Sequence, residues 1–109
     1  VETAAAMRAE LSELGIDAGV LFPDNLLLFA ALPHIEYATA VAHAYNRWLL
    51  EQWVTREPHL YGAVLACPQD PAEAARQIET YGKEPGMVAV FLPTAGVNPL
   101  WGHRRYDPI

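Results

Sequence analysis

Four histidines, one cysteine and a short basic run carry most of the reactive chemistry in this sequence. The histidines are His34, His43, His59 and His103. None stands in the HxH or HExxH spacing that places two imidazoles on one metal ion. His34 and His103 fall in two long segments that follow apolar runs, where they could approach one another. Histidines in such segments more often are solvated or bond locally, so no metal ligand is assigned. His43 lies among alanines on a helical pattern and reads as surface or packing. His59 precedes an apolar run, at the wrong end for a site.

The run "HRRY" places His103, Arg104 and Arg105 side by side, the only concentrated positive charge in the chain. Guanidinium groups present paired donors that match a carboxylate, so one reading is recognition of an anionic substrate. The other is a solvated or salt-bridging loop. Asp24 and Asn25 follow an apolar run and suit either substrate binding or turn formation. Cys67 ends an apolar run before Pro68 with no activating base in view, which favours a buried, inert thiol over a nucleophile. The sequence holds no GxGxxG, GxxxxGK[ST] or GxSxG motif, so those phosphate-binding and serine-nucleophile routes are excluded.

Composition narrows the field further. The 109 residues make one domain or less, and 52% are hydrophobic, enough to fold. A formal charge of −6 argues against a general affinity for nucleic acid. A single cysteine permits no intrachain disulfide and suits a reducing compartment. The longest apolar run, Leu26 to Leu32, is far too short to span a bilayer. The start has no basic-then-apolar signal pattern. A soluble, cytoplasmic protein with no membrane or nucleic-acid partner is therefore expected.

The elements that must position these residues alternate. "TAAAMRAELSELG" predicts a helix with Met7, Leu11 and Leu14 on one stripe and Gly15 as terminator. "GIDAGVLFP" predicts a strand, and "HIEYATAVAHAYNRWLLEQWVTRE" a long helix with Tyr37, Val41, Tyr45, Trp48 and Leu49 at helical spacing. The Trp48 and Trp53 pair reads as core or helix contact. "HLYGAVLACP" is a second strand. In "CPQDPAEAARQIETYG", Asp70 caps a helix opened by Pro71, with Glu73 in the capping-box position. "GMVAVFLP" is the third strand. All three strands are continuous apolar runs, the mark of parallel strands covered on both faces. The fold class is α/β, with βα repeats around three parallel strands. Residues 23–34 and 93–106 form long post-strand segments that must share one rim, where sites of parallel α/β folds gather.

Taken in order, "AYNRWL" at Ala44 to Leu49, the "CPQDPAEAARQI" junction and the closing "YDPI" resemble the amidohydrolase-2 group. These are metal-dependent TIM-barrel enzymes related to aminocarboxymuconate-semialdehyde decarboxylase. The resemblance implies a partial segment of a (β/α)8 barrel over residues 1–109, truncated at both ends. Asp107-Pro108, a helix-opening signal, would lead into the next helix. It further implies a parent hydrolase or non-oxidative decarboxylase that holds a divalent metal, zinc most readily, and acts on a small carboxylate-bearing substrate. The family's HxH pair and later ligands do not occur in this sequence. No catalytic or metal residue is therefore transferred, and the isolated chain is expected to be inactive. The resemblance turns Pro23 to Asn25, Cys67 to Gln69 and Thr94 to His103 toward the active-site mouth; with the charge of the basic run, the substrate-binding candidates are Asp24, Asn25, Thr94, Asn98, His103, Arg104 and Arg105. The alternative is a non-enzymatic α/β binding or interaction module. Three strands cannot close a barrel, so self-association through free strand edges and an apolar face is also expected.

Overall fold

Helix α1, Ala4–Glu13, begins where the Thr3 hydroxyl accepts the Ala6 N–H at 3.2 Å. It stops where Gly15, at φ 73°, lets the chain reverse. Gly15 N–H then donates to Ser12 and Ile16 N–H to Leu11, the paired bonds of a Schellman stop. Met7 and Leu11 pack on the core, whereas Leu14 is 74% exposed because the helix ends under it.

The computed structural model describes all residues, Val1–Ile109. Strands β1 (Gly19–Leu21), β2 (Leu60–Leu65) and β3 (Met87–Phe91) form one parallel sheet in the order β1-β2-β3. Register runs from Gly19 opposite Leu60 to Leu21 opposite Gly62, and from Gly62 opposite Met87 to Leu65 opposite Phe91. A bulge interrupts the second pairing between Gly62 and Ala63. The expected α/β class with three parallel strands is the observed one, the arrangement of a partial βα segment of a TIM barrel.

Only β2 is covered on both faces. Val20 on β1 and Val88 and Val90 on β3 are 48%, 56% and 41% exposed. The expectation of two-sided burial fails at β1 and β3 because each has a strand on one side only and no layer across its outer face. Phe22 and Phe91 partly compensate by stacking at 5.7 Å across the intervening β2.

Helix α2, Ile35–Leu49, continues as a π-helical turn, Leu50–Val54. Its buried residues are Ala38, Ala42, Asn46 and Leu49; of the residues at helical spacing, Leu49 is buried and Val41 and Tyr45 pack partly against the core. Tyr37 and Trp48 are largely exposed. The small side chains of Ala38 and Ala42 seat the helix closely on the sheet, and the aromatics are displaced to its flanks. Trp53, buried on the π-helical turn, meets Trp48 edge to face at 5.6 Å. Helix α3, Pro71–Tyr81, opens as expected, with the Asp70 carboxylate accepting the Glu73 N–H at 3.0 Å. Glu73 does not complete a capping box, because its carboxylate pairs with Arg76 instead. Asp107 closes a 3-10 turn, Arg104–Tyr106, rather than standing in the extended conformation of a helix cap.

Asn46 is fully buried and makes three bonds. Its amide NH2 donates to Leu65 O at 3.1 Å and to Gln77 Oε1 at 3.0 Å, and its Oδ1 accepts from Leu65 N–H at 2.7 Å. Strand β1 stops opposite Gly62, so the Leu65 peptide groups have no strand partner on that side. A side-chain amide carries one donor edge and one acceptor edge, so it replaces a strand backbone there. Replacing Asn46 by Leu leaves the Leu65 N–H and C=O buried and unpaired. The expected loss is about 3 kcal/mol, from unsatisfied groups at roughly 1–3 kcal/mol each. Urea unfolding of the two proteins measures it, and an unchanged midpoint would show that the clamp contributes nothing.

Candidate functional site

The three post-strand segments meet at one rim. The first, residues 23–34, folds into two short 3-10 turns, Asp24–Leu26 and Phe29–Ala31. Phe29 buries itself with Ala38, Ala42, Leu65 and Cys67, which anchors that segment over the end of β2. Gln69, just past β2, ties it further: its amide NH2 donates to Phe29 O at 2.9 Å and Leu32 O at 3.2 Å. The third segment touches the first through backbone. Gly96 adopts φ 83°, and a Cβ there would lie 2.6 Å from the Ala31 Cβ, so only glycine permits the approach.

This contact borders an open pocket of about 340 Å³ lined by Ala31, Leu32, Gln69, Val97, Asn98, Arg105 and Tyr106. Arg105 donates from Nη2 to Gln69 O at 3.3 Å, and its guanidinium lies 5.6 Å from the Tyr106 ring centre. Tyr106 is itself fixed, its hydroxyl donating to Pro99 O at 2.7 Å and its ring packed 4.6 Å from Trp101. Trp101 is held in turn by an indole N–H bond to Pro93 O at 2.9 Å.

The seven candidate residues do not form one constellation. Asn98 and Arg105 share the rim pocket. Asp24 and Asn25 line a separate, mostly apolar groove of about 340 Å³ with Leu21, Phe22, Tyr45 and Trp48. Thr94 supplies its carbonyl to a turn, accepting the Val97 N–H. His103 caps the last 3-10 turn, its Nδ1 accepting the Arg105 N–H at 3.1 Å. Arg104 is exposed and lines neither cavity. Sequence reasoning singled out neither Asn46 as a clamp nor Gln69 as a loop tie. The available signal for Asn46 was its place, four residues after Ala42 and eight after Ala38, on a face of small residues.

The chain matches the family model described as Amidohydrolase over residues 4–109. It belongs to that family. No curated protein matches it. Amidohydrolases of this kind are generally metal-dependent, but the donors present here do not fit a metal. No group of three or more His, Cys, Asp or Glu side chains converges. His43 Nδ1 bonds the Tyr81 hydroxyl at 3.0 Å, His103 Nδ1 is taken by a backbone N–H, and His59 precedes β2. Cys67 is buried, its thiol donating to Gln69 Oε1 at 3.3 Å, which makes it a structural part of the loop tie.

Burial shapes the groove chemistry at Tyr45, whose phenol is pushed up to about 12 by desolvation. The folded chain therefore holds this proton more tightly than the unfolded chain, whose tyrosines ionise near the ordinary value of 10. Stability from this group is complete below pH 10 and is lost as pH rises toward 12. Tyrosinate absorbance should show Tyr45 ionising after the exposed phenols, and Tyr45→Phe should move alkaline unfolding to higher pH. A single step for all five tyrosines would contradict this burial.

Proposed function

We propose that this chain is the rim-bearing part of a metal-dependent hydrolase or non-oxidative decarboxylase. In this reading the substrate is small and carboxylate-bearing, and the post-strand segments form the mouth of its site. The observation that supports it is the meeting of three strand ends at a pocket carrying Asn98 and Arg105, in a chain of the amidohydrolase family. When bound, a divalent ion, zinc in this proposal, would supply an activated water or polarise a carboxylate. Its ligands would come from outside these 109 residues. What this chain supplies is position: Gln69 fixes the first segment, Gly96 seals it against the third, and Arg105 holds the anion. The aminocarboxymuconate-semialdehyde decarboxylase-like subtype, the fragment character of the chain and a cytoplasmic location belong to the same proposal.

The protein isolated from its source provides the test. An intact mass several times the 12.0 kDa of this chain, with about one divalent ion per molecule and turnover lost on chelation, is expected. A 12.0 kDa species without metal-dependent turnover would sink the enzyme reading in favour of a binding module.

Within this reading the free edges of β1 and β3, flanked by exposed Val20, Phe22, Val88 and Val90, are contact surfaces. The isolated chain should self-associate through them. Sedimentation equilibrium should give a concentration-dependent mass above that of the monomer, and an ideal monomer across the accessible range would refute it.

A further inference from the structure

We propose that the groove between α1, β1 and α2, separate from the rim pocket, binds a small organic cation of the quaternary ammonium class. Trp48 and its neighbouring rings supply the aromatic wall, and Asp24 supplies the counter-charge. The inference goes beyond the proposed function and does not rest on it. Three observations carry it.

The first is the lining. The groove holds about 340 Å³, the size of a small-ligand pocket, and Phe22, Tyr45, Trp48 and Trp53 supply half of its apolar wall residues. The Tyr45 and Trp48 rings lie 5.9 Å apart at 42°, and those of Trp48 and Trp53 5.6 Å apart at 65°. Rings inclined in this way meet through their edges and do not cover one another's electron-rich faces as a parallel stack would. Trp48 stands between the other two and is 48% exposed, so a ligand can reach its ring. The second is charge. Asp24 is the one formally charged side chain in the wall, and no Lys, Arg or His stands there to neutralise it. It takes part in neither ion pair of the chain, Arg47–Glu51 and Arg76–Glu73. The chain as a whole carries −6, so its field also favours cations. A bare metal ion would find a single carboxylate here where it needs several oxygens. The third is the match between wall and charge. A quaternary ammonium carries its charge beneath apolar methyl groups, which suits aromatic faces, whereas a compact ammonium holds its water strongly. Asn25, also in the wall, adds an amide able to bond a hydroxyl substituent.

The test is a ¹⁵N NMR titration of the full-length protein carrying this chain with choline. Neohexanol, in which carbon replaces the nitrogen, is the uncharged isostere, and potassium chloride is the salt control. Choline should shift the indole N–H signals of Trp48 and Trp53 saturably. The Trp101 indole, bonded to Pro93 O at the rim, should stay in place and serves as the check on folding. Neohexanol should bind more weakly, and potassium chloride should weaken choline by screening Asp24. Trp48→Leu keeps an apolar side chain but removes the aromatic face. It should weaken choline about two- to fivefold, the range for an exposed cation–aromatic pair. Asp24→Asn, at an exposed position, should weaken choline by a similar factor and leave neohexanol unchanged. Equal affinity for neohexanol, or choline affinity unchanged in both variants, would overturn the proposal. So would indole shifts that follow protein concentration and ignore choline, because they would place a second copy of this chain on the groove.

Discussion

The organisation of this chain depends on how β2 keeps its backbone paired after β1 has ended, and the side-chain amide of Asn46 is what does it. Strand β1 is only three residues long and leaves the sheet opposite Gly62. Beyond that point, Asn46 reaches from α2 to take both peptide groups of Leu65 and passes a third bond to Gln77 on α3. One buried side chain thus joins two helices and the central strand at the level where the rim begins. Because the amide replaces a strand, residues 23–34 are free to leave the sheet and become a loop. The same geometry puts Cys67 and Gln69 immediately above the clamp, where they hold that loop down.

A hierarchy of rigidity follows. The lower core, built from Leu49, Trp53, Val54, Leu60, Val64 and Met87, binds α2 to the sheet by apolar burial. The upper cluster around Phe29, Leu65 and Cys67 is smaller and is supplemented by directional bonds. Loop placement at the rim therefore rests on hydrogen bonds to partly buried backbone carbonyls, the kind of contact that specifies geometry rather than bulk stability. The outer surfaces of β1 and β3 have no such support, and apolar side chains there remain in solvent.

The alternation of elements was legible because each carries a strong local signal: the Gly15 stop, the Asp70-Pro71 start and three apolar runs. Strand direction followed from the same runs. On α2, Val41, Tyr45 and Leu49 pack as their spacing suggests, while Tyr37 and Trp48 stay outside because close helix–sheet packing selects Ala38 and Ala42 for their smallness. The meeting of residues 23–34 and 93–106 was foreseeable from their positions after parallel strands. Which side chains converge there was not. Asp24 and Asn25 are turned into a different groove by the 3-10 turns of the first loop, and His103 is drawn into capping by its own neighbour. Those outcomes depend on contacts between distant segments, such as Gly96 against Ala31, which no local pattern encodes.

The most direct measurement is native-state hydrogen exchange at the Leu65 amide. Its acceptor is the Asn46 side chain, so its protection reports directly on the clamp. Exchange as slow as that of its neighbours Val64 and Ala66 is the result expected if Asn46 completes the pairing of β2. Exchange as fast as that of exposed loop amides would mean that the clamp is not formed in solution, and that the rim has no fixed base from which to present Arg105.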